Sequence, residues 1–481
     1  MNSVELADEF VGCDFGDARL SDRVLKIASV LKDNPGRSIP AAFIDEAAWT
    51  GCYRFFDNDS VTPAAIIKPH IAATQRRVEQ CEVALLVQDT TELDLTRPKK
   101  QVEGAGMMDC DSRRGAFFHP MMAFSGEGVP LGFVSQQTWI REKLNRQKSK
   151  QEKQDDRRSR PIEEKESYRW LLGLNAAKET AVLCPNTTII ALADSESDIY
   201  EYFAHAEQLR DDCENLQILM RAGQNRGTSE DCDWKEVARN TPLIGRKTVH
   251  IREREAKVGN GKTARDRSRC ARTVELEVRK AVVEITRSKN ATGKLPKKIK
   301  LNLVLCEETQ PPEGEDPICW LLVTTLPIDT DQDVNTIIQY YCTRWQIEVY
   351  FRTLKSGCRI EYRRFENLDR ILNCLAVMSI VAWRIMFMCY LGRACPDLDC
   401  EAVFTPSEWK SVFAVLKKKA PAQGCPKLIE LIRAIGQLGG FVDRPKNFPG
   451  TQSLWNGIQR CYDLSIAWNS FGPGSKKFST D

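Results

Sequence analysis

The chain has 481 residues, 42% hydrophobic and 28% charged, enough to bury a sizeable core and, at typical domain sizes, to form roughly three domains. The 69 Lys and Arg against 66 Asp and Glu leave a net charge of +3, too near balance to announce a nucleic-acid partner, so any basic surface must be local. The 18 cysteines include no Cys-x-x-Cys pair and only 4 histidines accompany them, which disfavours a zinc module or a disulfide framework and fits reduced cytosolic thiols. The acidic start, Met1 to Glu9, lacks the basic and apolar parts of a secretory signal, so no export is expected.

Residues 1–75 carry helical spacing. Leu20, Val24, Ile27 and Leu31 form an apolar stripe that Pro35-Gly36 ends, and the segment is expected to be a small helical bundle. Arg19, Arg23 and Lys26 lie beside the stripe, and Arg54 sits among Tyr53, Phe55 and Phe56. DNA contact and a solvated helix face are both open readings of these cations.

From 83 to 140 the pattern predicts three antiparallel strands: Val83 to Val87, Phe117 to Phe124 and Val129 to Trp139. Ser125-Gly126-Glu127-Gly128 would be the hairpin turn between the last two. Residues 141–169 are dominated by charged and amide side chains and predict a mobile loop leading into a helix over Trp170 to Thr180. A fourth strand over 188–193, a helix through Ile199, Tyr200 and Phe203, and a strand from Leu216 to Met220 follow.

This succession resembles the ribonuclease-H-like fold, in which the first and fourth strands lie side by side. Asp89 ends the first apolar run and Asp194 the fourth, so the resemblance brings these carboxylates together across a long stretch of chain. Alternating segments at Lys247 to Glu253, Ala271 to Arg287, Ile299 to Cys306 and Ile318 to Thr325 predict a strand-rich insertion over 222–330. Its basic linkers, Lys257 to Arg272 and Arg287 to Lys300, could follow a phosphate backbone or stay solvated.

A helix from about Asp333 to Gly357 then resumes the core. At about 100° per residue, Tyr341, Arg344, Glu348 and Lys355 fall within one arc of about 60°, with Arg352 on the same face. A lone carboxylate among a phenol, a guanidinium and an ammonium suits a metal ion held beside a phosphate. Ile371 to Leu391 is long enough to span a bilayer, but Asn373 and Arg384 favour a buried helix. Residues 396–481 are expected to form a helical C-terminal region.

Three converging carboxylates can hold two hard divalent ions about 3.5–4 Å apart, the arrangement that serves in-line phosphoryl displacement. Asp89, Asp194 and Glu348 are the candidate ligands. An isolated Asp after a strand is ordinarily a turn or cap residue, and an isolated Glu on a helix is ordinarily solvated. Their joint occurrence with the motif below overturns those readings. Glu92, Asp94, Glu196 and Asp198 are neighbours that could be mistaken for ligands, and strand-end placement favours Asp194 over the last two.

The spacing Tyr341-x2-Arg344-x3-Glu348-x6-Lys355 resembles the signature of bacterial DDE transposases of the insertion-sequence-four group, the group of transposon-five transposase. Gln88-Asp89-Thr90-Thr91, Ala193-Asp194-Ser195-Glu196-Ser197-Asp198-Ile199 and Thr343-Arg344-Trp345-Gln346-Ile347-Glu348 extend the match across the catalytic core. Gly16-Asp17-Ala18-Arg19-Leu20 and Tyr53-Arg54-Phe55 are similar to the family's DNA-binding region, and the stretch after Ser407 is similar to its dimerising region.

The resemblance implies a ribonuclease-H-like catalytic core (76–395) with the β-rich insertion, an N-terminal helical DNA-binding domain (1–75) and a C-terminal helical dimerisation region (396–481). It implies cut-and-paste transposition: nicking of transposon ends, hairpin formation and opening, and strand transfer into target DNA. Two Mg²⁺ ions per site are implied, with Mn²⁺ as a substitute, in a homodimeric synaptic complex on double-stranded DNA. No membrane or small-molecule substrate is implied, and the setting is the bacterial cytoplasm, associated with the nucleoid.

By the same resemblance Tyr341, Arg344, Lys355 and Arg352 would grip phosphate, and Arg221, at the end of the fifth strand, and His119, on the second, would lie near DNA. Core-edge pairing and a satisfied structural histidine are the other readings of those two. Trp320 matches an aromatic that stacks a flipped base, where an indole face replaces lost neighbours; core packing is its other reading. Two alternatives stay open: a ribonuclease-H-like structure-selective DNA nuclease, and a catalytically retired DNA-binding protein.

Overall fold

A computed structural model of the chain describes residues 6–473, apart from 44, 111, 142–148, 150, 153–158, 231, 252, 254–269, 289, 290, 292 and 419–423. Much of the charged 141–169 stretch and most of the Lys257 to Arg272 linker therefore lie outside the described residues, as do parts of Arg287 to Lys300. The chain divides into two compact units, one from 1–81, 90–144 and 345–481, the other from 82–89 and 145–344.

The first unit opens with four helices, α1 (Ala18–Asp33), α2 (Ile39–Phe43), α3 (Glu46–Phe56) and α4 (Pro63–Val78). Each long one starts at a side-chain cap: Asp17, Asp45 and Thr62 accept backbone N–H groups of α1, α3 and α4. Val24, Ile27 and Leu31 of the expected stripe are buried, while Arg19, Arg23, Lys26 and Arg54 are exposed.

In chain order the strands are β1 (Val83–Gln88), β2 (Thr91–Asp94), β3 (Gly106–Met107), β4 (Arg114–Ser125) and β5 (Pro130–Trp139). All but β1 belong to the first unit. There β4 pairs antiparallel with β2, β3 and β5, and the expected turn after Ser125 closes with Gly128 at φ +85°. The short β2 and β3 carry too few residues to show a period.

The second unit continues through α5 (Tyr168–Leu183), β6 (Thr188–Ala193), α6 (Tyr200–Asp211), β7 (Leu216–Arg221) and α7 (Trp234–Arg239). Then come β8 (Gly245–Ile251), β9 (Arg272–Thr286), β10 (Lys298–Glu307), β11 (Cys319–Thr324) and α8 (Asp331–Thr343). β1, β6 and β7 pair in parallel and are buried almost without interruption, as strands covered on both faces must be. The succession is ribonuclease-H-like, as expected.

The insertion expected over 222–330 does not form a body of its own. β11 pairs antiparallel with β7, and β10, β9 and β8 follow, so the inserted strands extend the core sheet. Periodicity reports that a segment is a strand but not which edge it joins.

The first unit resumes with α9 (Gln346–Arg352), α10 (Leu368–Ala394), α11 (Pro406–Lys417), α12 (Leu428–Leu438) and α13 (Thr451–Phe471). α10 holds the segment long and apolar enough for a membrane, yet it is buried along most of its length. Trp383 donates from Nε1 to the Pro130 carbonyl, and Gln136 donates to Ser379, so α10 is pinned to β5. α11, α12 and α13 supply the helical C-terminal region.

A buried polar cluster ties the N-terminal segment to this unit. His70 is fully buried, its Nδ1 is 2.5 Å from Glu9, and its Nε2 accepts from Phe133 N–H, so the ring is neutral with its proton on Nδ1. Arg77 donates to Glu9 at 2.7 Å and to the Leu131 carbonyl at 2.6 Å. Burial alone would raise the Glu9 carboxyl, but the hydrogen bonds from His70 and Arg77 and the charge of Arg77 outweigh it and hold it below the usual range. Burial pushes His70 down from 6.5.

Arg77→Ala, which leaves this carboxylate buried without its cation, should cost about 3–5 kcal/mol, read as a lowered denaturation midpoint. Because the folded His70 binds a proton less readily than the unfolded one, its contribution is complete above 6.5 and declines as pH falls through that value. Thermal scans from neutrality to about pH 5 should show a falling Tm, with a smaller fall in His70→Gln.

Candidate active site

The register of the parallel pair β1 and β6 places Val83 opposite Thr188 and Val87 opposite Leu192. Asp89 and Asp194 are the residues that follow these strands, so both lie at the carboxyl ends of neighbouring strands whose axes are about 4.8 Å apart. Loops at that end of a parallel sheet are the usual place for a site. Gly173 on α5 permits close packing here, since a Cβ would meet Gln88 Oε1 at 2.0 Å.

Asp194 accepts from Glu196 N–H at 2.7 Å and caps the short turn Ser195–Ser197. Arg344 approaches Asp89 with Nη1 to Oδ2 at 3.3 Å. Tyr341 is buried, and its phenol is pushed up by that burial, against the pull of Arg221 and Arg344. Trp320 is half-buried at the start of β11, its ring 6.4 Å from that of Tyr341. Arg221 ends β7 with Nη2 at 3.4 Å from Ser195 Oγ. The second unit therefore gathers two carboxylates, two arginines, a phenol and an indole.

Arg169 was not signalled by the sequence. It stands in the first turn of α5, donates to Glu196 at 2.8 Å, and feels the charges of Asp194 and Asp89, while burial pushes its guanidinium down. An arginine beside an aromatic at the end of a charged run has no periodicity to mark it.

The helix expected to run unbroken from Asp333 to Gly357 does not. α8 ends at Thr343, α9 starts at Gln346, and a π turn covers Thr353–Gly357. A π turn takes more residues per revolution, so a count at a fixed angle does not carry from Tyr341 to Lys355, and the single face bearing all four residues is corrected. Tyr341 and Arg344 belong to the second unit; Glu348, Arg352 and Lys355 belong to the first.

Within the first unit Glu348 is partly exposed and Arg352 is exposed. Lys355 pairs with Glu361 at 3.2 Å. His119, expected near DNA, is only 1% exposed and its Nδ1 is 2.9 Å from Thr90 Oγ1. As placed it supports the segment that follows Asp89 and does not meet a phosphate, because burial leaves no approach.

The neighbouring carboxylates have other employment. Glu92 and Asp94 pair with Arg113 at 3.2 and 3.0 Å, and Glu196 pairs with Arg169. Asp198 is 1% exposed and accepts from Gly223 N–H, Gln224 N–H and Arg226 Nε within 2.8 Å. It latches the segment after β7 to the turn after β6.

Among the described residues, no three His, Cys, Asp or Glu side chains are grouped closely enough to hold a metal ion. The adjacent pair Asp89 and Asp194 nonetheless supplies hard oxygen donors of the kind that divalent cations such as magnesium take. Asp198→Ala should cost about 3–5 kcal/mol, because Arg226 would be left buried and unpaired. Asp194→Ala should cost only about 1 kcal/mol, the worth of a cap. Denaturation midpoints of the two variants separate the structural carboxylate from the candidate ligand.

Comparison with known proteins gives the family of the chain. A family model described as the transposase DDE domain matches residues 135–383, more than half the chain. A transposase DNA-binding model matches 5–61, and a Tn5 transposase dimerisation model matches 380–466. Among solved structures, a piggyBac transposase synaptic complex with hairpin DNA is similar at 11% identity and a TM-score of 0.34, over 90% of this chain and 63% of that one. So the chain spans less than two thirds of that structure's protein, and a likeness of this size carries no argument. The three family models, which match the N-terminal, central and C-terminal stretches of the sequence, identify the chain as a member of the bacterial DDE transposases of the Tn5 kind.

Proposed function

We propose that the protein is a cut-and-paste DNA transposase acting as a homodimer on transposon ends and target DNA, in the bacterial cytoplasm and associated with the nucleoid. The observation that carries this reading is the β1–β6 register, which sets Asp89 beside Asp194 in a chain of the DDE family. Divalent metal dependence follows from that family. Mg²⁺, with Mn²⁺ as a substitute, and two ions per site are the finer proposal.

Asp89, Asp194 and Glu348 would hold the ions, which when bound activate an attacking oxygen and stabilise the leaving oxygen of an in-line displacement. Arg221, Arg344 and Tyr341 would orient the phosphate, as would Lys355 and Arg352, because fixed donors cost no reorganisation at the moment of reaction. Arg344 would exchange its contact with Asp89 for the phosphate as the carboxylate takes up metal. Arg169 joins this set. Trp320, half-buried beside Tyr341, offers an indole face to a base turned out of the duplex. The exposed Arg19, Arg23 and Arg54 would contact the terminal repeats, adding a salt-dependent term to binding.

Purified protein incubated with a labelled duplex bearing the terminal repeats that flank its gene, with and without Mg²⁺ or Mn²⁺, should yield a nick and then a hairpin on a denaturing gel. Hydrolysis without a hairpin would support a structure-selective nuclease instead, and a gel shift with no cut strand a retired DNA-binding protein. Glu348→Ala should abolish nicking and leave end binding nearly intact, since it removes a metal ligand and no DNA contact. Trp320→Ala should nick normally yet form less hairpin; an unchanged hairpin yield would return this residue to packing.

A further inference from the structure

Cys400 and Cys425 lie on two short segments that flank α11. Cys400 opens the turn Cys400–Ala402 after α10, and Cys425 precedes α12. Asp399 and Lys427 form an antiparallel bridge between these segments. Cys400 N–H donates to the Pro426 carbonyl at 3.0 Å and Leu428 N–H to the Leu398 carbonyl at 2.6 Å. Lys427 also pairs with Asp397. The backbone on both sides of the two thiols is thus held in register.

The two sulfurs are 3.4 Å apart. A disulfide needs about 2.05 Å, a closure that side-chain rotation can supply when the backbone is already in place. Exposure divides the roles: Cys425 is partly exposed and Cys400 is buried. Burial and the neighbouring Cys425 push the Cys400 thiol up, so it is not the group that meets an oxidant first.

We infer that Cys400 and Cys425 are a redox-responsive pair, oxidised by a low-molecular-weight disulfide to an intrachain bond that closes a loop around α11. In the first step the Cys425 thiolate attacks one sulfur of the oxidant, whose S–S bond breaks and releases one thiolate. Cys400 then gives up its proton and attacks the Cys425 sulfur, releasing the second thiolate. Two electrons pass to the oxidant, which leaves as two thiols carrying the two cysteine protons. Both cysteines and all of α11 lie in the 380–466 stretch that matches the dimerisation model, so the bond would fasten the region assigned to self-association. Intracellular disulfides of this kind are ordinarily transient and sensing.

The full-length protein is treated with oxidised glutathione, its remaining thiols are blocked with N-ethylmaleimide under denaturing conditions, and tryptic peptides are analysed by mass spectrometry. The expected result is a linked peptide that joins Cys400 to Cys425, lighter by two hydrogens than the sum of its parts, lost on reduction and absent in Cys425→Ser. The peptide carrying Cys400 also carries the exposed Cys395, so fragment ions between them assign the bond. Because Cys400 is buried, Cys425→Ser is the variant of choice, and its unchanged thermal unfolding in reducing buffer shows that it folds. A Cys395–Cys425 bond, a bond between two chains, or Cys425 found only as its glutathione adduct would each overturn the inference.

Discussion

Everything in the second unit depends on the parallel pairing of β1 with β6. Each strand is an apolar run buried on both faces, so neither can slip by one residue without turning its side chains to the opposite layer. The register is therefore held by the whole core, and the residue that follows each strand, Asp89 after Gln88 and Asp194 after Ala193, is delivered to the same end of the sheet. Asp89 and Asp194 are neighbours because ten buried residues behind them have nowhere else to go. Gly173 and the helix above it complete the arrangement by packing directly against Gln88.

The environment then sorts carboxylates that composition alone cannot. Asp198 accepts several donors in the interior and has no approach from solvent, which makes it a latch. Glu92, Asp94 and Glu196 are drawn into ion pairs nearer the surface, where such pairs contribute little to stability but do restrict the side chain. Asp89 faces Arg344, a pairing that moderates its negative charge beside Asp194. Like charges at strand spacing repel, and a neighbouring cation offsets part of that repulsion.

The first unit follows a different logic. It is assembled from three separate stretches of chain, and its interior is organised by α10, whose apolar length makes a core helix for the strands and helices around it. Buried polar groups there turn part of their donors to the backbone: Asn373 Nδ2 donates to the Phe56 carbonyl and the Arg363 Nη groups to the carbonyls of Pro35, Arg37 and Cys358, whereas Asn373 Oδ1 and Arg363 Nε are buried without a hydrogen-bond partner among the described residues. Outward-facing cations such as Arg19, 91% exposed at its side chain, stay in solvent, so a net charge near zero coexists with local basic surface.

Local pattern alone determined much of this. The strands at 83–88, 188–193 and 216–221, the hairpin after Ser125, the buried nature of α10 and the identity of Asp89 and Asp194 as strand-end carboxylates were all legible, because burial period and turn chemistry act within a few residues. What only the tertiary structure decided depends on partners distant in sequence. The attachment of β11 to β7, the ion pairs that occupy Arg344 and Lys355, the burial of His119 and the place of Arg169 beside the carboxylates all follow from which surfaces meet. The π turn at Thr353–Gly357 belongs to the same class: a hydrophobic period measured in one direction along the chain cannot show where packing inserts an extra residue into a helix.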